Sequence, residues 1–164
     1  MKTSNKNSLT SLAHNQAFTL IEVLLVIGII AILAAIVIIA INPARQLGMA
    51  RNTQRWSNVN TILNAIHQYA VDNKGSLPYS LTTNETEICA AGVATTTCNA
   101  SSLIDLTSLT NNELYLTSLP TDPACPTGCN ANGIGYRVLK TINNRVTVTA
   151  PNTELSGATI SVTR

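Results

Sequence analysis

The chain has 164 residues, 45% of them hydrophobic and only 11% charged, and a net charge of +2. That charge is too small to argue for nucleic acid or an acidic substrate as partner, and a single Phe and a single Trp leave no series of aromatic platforms for single strands. The length suits one compact domain plus one further long element.

Residues 1–17 carry Lys2 and Lys6 and no acid, and read as a small basic leader. Apolar sequence follows, beginning at Phe18, and from Val23 to Ile41 no residue is charged or strongly polar. As a helix this stretch would extend about 28 Å at about 1.5 Å per residue, close to the roughly 30 Å hydrocarbon core of a bilayer. Its many β-branched residues do not oppose this, because in lipid a single segment satisfies its backbone only as a helix. A cleaved secretory signal would end near Ala31–Ala35, but the apolar run continues past those small residues. A plain signal anchor has no use for Glu22, since a carboxylate near the centre of a span costs about 2.5–3.5 kcal/mol. Glu22 lies four residues after Phe18, one helical turn away. If the chain were cut before Phe18, the new amine would stand close to that carboxylate. In a bundle of such helices, Glu22 of one copy could meet the amine of the next. Such a pair adds little stability but sets register between otherwise featureless apolar helices.

The stretch Ala17-Phe18-Thr19-Leu20-Ile21-Glu22 and its apolar continuation to residue 41 resemble the prepilin-peptidase site of type IV pilins and type II secretion pseudopilins. The resemblance implies cleavage between Ala17 and Phe18, N-methylation of Phe18, and a register role for Glu22. Ala17 stands where the family has glycine. Lys2 and Lys6 precede the span while Arg45, Arg51 and Arg55 follow it, so the distribution of positive charge does not decide topology. The resemblance and the placement of all four cysteines after residue 88 put the C-terminal domain outside the cytoplasm.

Asn42-Pro43 closes the apolar run, and Pro43 is expected to kink the helix. Beyond it Trp56, Val59, Leu63, Ile66 and Ala70, widened by Ile62 and Tyr69, recur at spacings of three and four, the mark of an amphipathic helix over residues 44–73. Gly75 is the expected C′ residue, so residues 18–73 read as one long helix. Residues 76–101, rich in Thr, Ala and Asn, read as a loop region. Ser102-Leu103-Ile104-Asp105 resembles a capping box and predicts a short helix through Leu109, and Leu119–Pro123 predicts a rigid turn. The period then changes to two. Residues 135–140 and 145–149 alternate around Asn143-Asn144, a hairpin signal, and residues 158–163 suggest a third strand. The expected fold is α+β: a long N-terminal helix packed on a small antiparallel sheet of about three strands over residues 134–163. The pilin resemblance implies the same arrangement.

Cys125 and Cys129 have three residues between them, and Cys89 and Cys98 have eight, whereas redox motifs and zinc knuckles usually have two. Two local disulfides are the favoured reading; cross-pairing and a four-thiolate zinc site stay open. His67 lies near the amphipathic stripe and reads as a structural histidine rather than a ligand. Some pseudopilins hold calcium in a C-terminal loop, but between Asp105 and Glu154 only Glu113 and Asp122 offer carboxylates, so no metal site or cofactor is carried over. Asn84-Glu85-Thr86 and Asn99-Ala100-Ser101 fit glycosylation acceptors, with an unmodified loop as the default.

These readings converge on a non-enzymatic subunit organised as leader 1–17, hydrophobic helix 18–43 and globular domain 44–164. The resemblance implies a precursor in the inner membrane, prepilin peptidase and an assembly platform as partners, and a homo-oligomeric surface or periplasmic filament. A secretion pseudopilin is the near alternative, and a membrane-anchored binding or redox module the alternative of a different class.

Overall fold

The uncharged run becomes helix α1, Leu20–Ile41, in a computed structural model that describes residues 18–155 and 160–164. Thr19 starts it: its backbone is extended, at φ −76° and ψ 150°, and its Oγ1 accepts the Glu22 N–H at 3.3 Å. The side chain thereby serves one of the amides that a helix start leaves without a partner. Asn42 ends α1 in the left-handed region, at φ 50° and ψ 79°, which asparagine tolerates better than most residues. Helix α2, Pro43–Asp72, begins on the next residue. Proline suits a first helical position, where its missing N–H would have had no partner. The continuous helix expected over 18–73 is thus two helices interrupted at Asn42. The chain divides into two compact units at this residue.

In the unit from Pro43 onward, α2 places Val59, Ile62, Leu63 and Ile66 at complete burial. The buried face differs from the expected stripe at its start, where Trp56 is 44% exposed while Arg55 is fully buried. At its end α2 closes on a Schellman-type turn. The Gly75 N–H donates to Ala70 O at 2.7 Å, and Lys74, at φ 57°, occupies the left-handed C′ position expected for Gly75.

The sheet has four antiparallel strands rather than about three, in the order β1 (Thr86–Cys89), β2 (Gly133–Lys140), β3 (Val146–Ala150), β4 (Ile160–Thr163). β2 and β3 pair Val138 with Val148, and β3 and β4 pair Val148 with Val162. One face buries Tyr136, Val138, Val146, Val148, Ala150 and Ile160 in a single core with the apolar face of α2. Residues 156–159, which include the expected start of the last strand, lie outside the described residues. Around Asn143-Asn144 only Asn144, at φ 58°, is left-handed, and the turn is closed by Thr141 N–H donating to Arg145 O at 2.7 Å.

β1 arises in the stretch expected to be loop, because Thr-Glu-Ile-Cys is too short and polar to display a period. Its pairing comes from β2, with Thr86 opposite Val138 and Glu87 opposite Arg137. Its other edge is covered by Ile104, whose N–H donates to Glu87 O at 2.9 Å and whose carbonyl accepts Cys89 N–H at 2.9 Å. This bridge also overrides the expected 103–109 helix, because residues extended along a strand cannot be helical. Only a single 3₁₀ turn forms, Thr107–Leu109, with Asp105 Oδ1 accepting the Thr107 N–H at 2.8 Å. A further short helix, α3 (Thr95–Ala100), occupies the same supposed loop region.

Candidate functional site

The apolar helix α1 belongs to the N-terminal unit. No residue of α1 is buried, Phe18 is 79% exposed, and the helix is long and apolar enough to cross a membrane. Glu22 is its one acidic residue in the first turn, and no basic residue stands in its last turn. Phe18, Glu22 and Val26 follow one another at four-residue spacing, and with Val23 and Ile27 they line an open groove of about 250 Å³. Among the described residues Glu22 is the only ionisable side chain on that groove. The Thr19 cap fixes where regular helix begins, so Phe18 lies just before the first turn and Glu22 at its end. Ala17, the expected residue before the cut, lies outside the described residues. Pro43 opens α2 directly after the left-handed Asn42.

The four cysteines are far from this segment in sequence and are joined as Cys89–Cys98 and Cys125–Cys129, with Cα separations of 5.8 and 5.3 Å. No thiol remains free. The four-thiolate zinc reading therefore fails, and so does cross-pairing. Cys89 and Cys98 are buried with Leu103, so this bridge ties α3 to β1. Among the described residues no group of three or more His, Cys, Asp or Glu could hold a metal ion. His67 is half-buried, and its Nε2 has no hydrogen-bond partner among the described residues.

Sequence reasoning missed a buried polar cluster in the C-terminal unit. Arg55 Nε donates to Asp122 Oδ2 at 2.7 Å, and Nη2 donates to Oδ1 at 3.1 Å, with both side chains at 0% exposure. Nη1 donates to Asn52 Oδ1 at 2.9 Å, and Glu154 accepts from Arg55 at 3.3 Å from a partly exposed position. The hydrogen bond to Asp122 raises the Arg55 pKa above its ordinary value, against the opposing effect of burial. Asn52 also holds the backbone of Glu154 from both sides, donating to its carbonyl and accepting its N–H. Asp122 accepts the Ala124 N–H at 2.7 Å, and Asn152 donates to Gly128 O at 2.6 Å. The cluster thus locks the Cys125–Cys129 loop and the segment around Glu154 onto α2. Gly135, at φ 81°, lets β2 pass against this loop, since a Cβ there would lie 2.6 Å from Cys129 Sγ. The sequence did hold a signal: Arg55 precedes Val59 by four residues, in phase with the apolar stripe.

Residues 12–40 match a family model described as the prokaryotic N-terminal methylation motif. No curated protein and no solved structure matches the chain. The matched region contains Phe18, Thr19, Glu22 and nearly all of α1, so the exposed helix and the sequence motif coincide. The chain therefore carries over residues 12–40 the N-terminal methylation signature of type IV pilins and pseudopilins.

Proposed function

We propose that this chain is a structural subunit of a type IV pilus-like filament, held in the inner membrane as a precursor and assembled through α1. The observation that carries the reading is a lone carboxylate, Glu22, in the first turn of an apolar helix without a buried residue. In this reading prepilin peptidase cuts between Ala17 and Phe18, and the new Phe18 amine is methylated. The cationic amine then stands about one helical turn from Glu22. Helices leave the lipid for one another, so apolar area facing acyl chains becomes area facing other subunits. Within that bundle Glu22 neutralises the terminus of a neighbour. A carboxylate with no partner there would carry a desolvation penalty. The pair therefore selects one axial step among many sterically similar ones. The disulfide-braced domain that begins at Pro43 stays outside the membrane, in agreement with both cysteine pairs being oxidised.

Mass spectrometry of the mature protein from cells that make it tests the reading. The expected chain begins at Phe18 and is heavier by one methyl group. Chains beginning at Met1, or after Ala34 or Ala35, would refute it.

A further inference from the structure

A cleft of about 560 Å³ lies on the C-terminal unit between the 79–86 segment, α3 and the Leu103–Ser108 turn. Its volume is within the roughly 300–1,000 Å³ of small-ligand sites. Three observations define what it could hold. Its walls are hydroxyl-rich, with Ser80, Thr82, Thr86, Thr95, Thr107 and Ser108 all contributing. The side chains of Ser80, Asn99 and Ser108 line the cleft and make no hydrogen bond among the described residues, so their donors and acceptors are not engaged by the protein. Among the described residues Asp105 is the only charged one on the lining, so an anionic ligand would meet repulsion there. At the rim Tyr79 is fully exposed, an aromatic face with nothing packed on it.

The cleft is also pre-formed. The Cys89–Cys98 bridge pins α3 to β1. Asp105 ties the Leu103–Ser108 turn to α3, accepting the Thr95 hydroxyl at 2.5 Å and the Thr107 N–H at 2.8 Å. Tyr69, also on the lining, packs edge-on against Tyr115 at 5.6 Å between ring centroids. A rigid cleft loses less ordering entropy on binding. The hydroxyls of Thr82, Thr86 and Thr95 are bonded within the protein, so an apolar ligand would leave Ser80, Asn99 and Ser108 as the side chains without partners. A neutral, polyhydroxylated ring has hydroxyls for the walls and an apolar C–H face for the tyrosine. We infer that this cleft binds a neutral saccharide, stacked on Tyr79 and hydrogen-bonded by Ser80, Asn99 and Ser108.

The inference does not depend on filament assembly and is tested on the full chain in micelles of a detergent without a sugar headgroup. Saturation-transfer NMR and titration calorimetry against a panel of neutral and sialylated or sulfated oligosaccharides are the readouts. At least one neutral saccharide is expected to bind, with anionic ones weaker. Tyr79→Ala should weaken binding about tenfold by removing the stacking face. Because Tyr79 is wholly exposed, its truncation leaves the core intact; Ile142→Ala, 89% exposed on the hairpin turn, is the control expected to bind as wild type. Ser108→Ala should weaken binding without loss of fold. Failure of every neutral saccharide to bind at millimolar concentration, preference for anionic ones, or unchanged binding by both Tyr79→Ala and Ser108→Ala would overturn the assignment.

Discussion

Replacing Arg55 by methionine isolates the polar cluster that anchors the C-terminal loops. Methionine retains an unbranched apolar stem but removes the guanidinium, leaving Asp122 at 0% exposure with the Ala124 N–H as its remaining side-chain hydrogen bond. Removing one partner of a buried pair costs about 3–5 kcal/mol, because the other charge stays buried without compensation. The third member is a different case. Glu154 is 31% exposed and lies 3.3 Å from Arg55, so Glu154→Gln should cost only about 0–1 kcal/mol. Arg55→Met combined with Asp122→Leu should recover much of the loss, since a buried ion pair and a well-packed apolar pair are often close in stability. Against a total of about 5–15 kcal/mol for a typical domain, the single replacement is severe. The assay is urea unfolding of the full chain in micelles, followed through the fluorescence of Trp56, the only tryptophan and the neighbour of Arg55 in sequence. A loss below about 1 kcal/mol for Arg55→Met, or an equal loss for Glu154→Gln, would show that the buried pair does not hold these loops.

Glu22→Ala should leave the precursor membrane-inserted, because it removes a charge from an apolar helix, yet block filament assembly; immunogold microscopy of surface filaments decides, and normal filaments from the variant would remove the pairing role. Replacing Cys89 and Cys98 together by alanine opens a loop with a sequence separation of 9 and should cost about 2–3 kcal/mol in the chain-entropy model, read as a lower urea midpoint. For Asp105, burial favours the neutral acid, but hydrogen bonds from Thr95 and Thr107 outweigh it and lower the carboxyl pKa. The stability this contributes is therefore present above the unfolded carboxylate value of about 3.9 and is lost as pH falls through the lower folded value. The stability gap between wild type and Asp105→Asn should accordingly shrink on acidification in that window, and a gap that widens there would contradict the hydrogen-bonding account.

The elements legible in sequence were those with a local cause. The uncharged run after Glu22 and the three- and four-residue spacing through Val59, Leu63 and Ile66 produced helices where expected. The alternation in residues 135–140 and 145–149 produced β2 and β3. Misreadings fell where distant pairing overrode local preference. Thr86–Cys89 is a strand because β2 and Ile104 flank it, and the capping-box signal at Ser102 lost to that same bridge. Gly75 yielded the C′ position to Lys74 because the turn was set one residue earlier than the helix pattern implied.

The candidate assembly segment is almost wholly a property of sequence. Thr19, Glu22 and the apolar run lie within a single helix and its cap, and Phe18 directly precedes that cap, so local sequence sets their geometry. The Arg55–Asp122 pair and the hydroxyl-lined cleft are the opposite case. Their members stand 67 residues apart for the ion pair, and they come from four separate segments for the cleft. No local spacing encodes such a meeting. It follows only when the sheet docks on α2 and the Cys89–Cys98 bridge closes, because burying the shared apolar core is what brings these polar groups together.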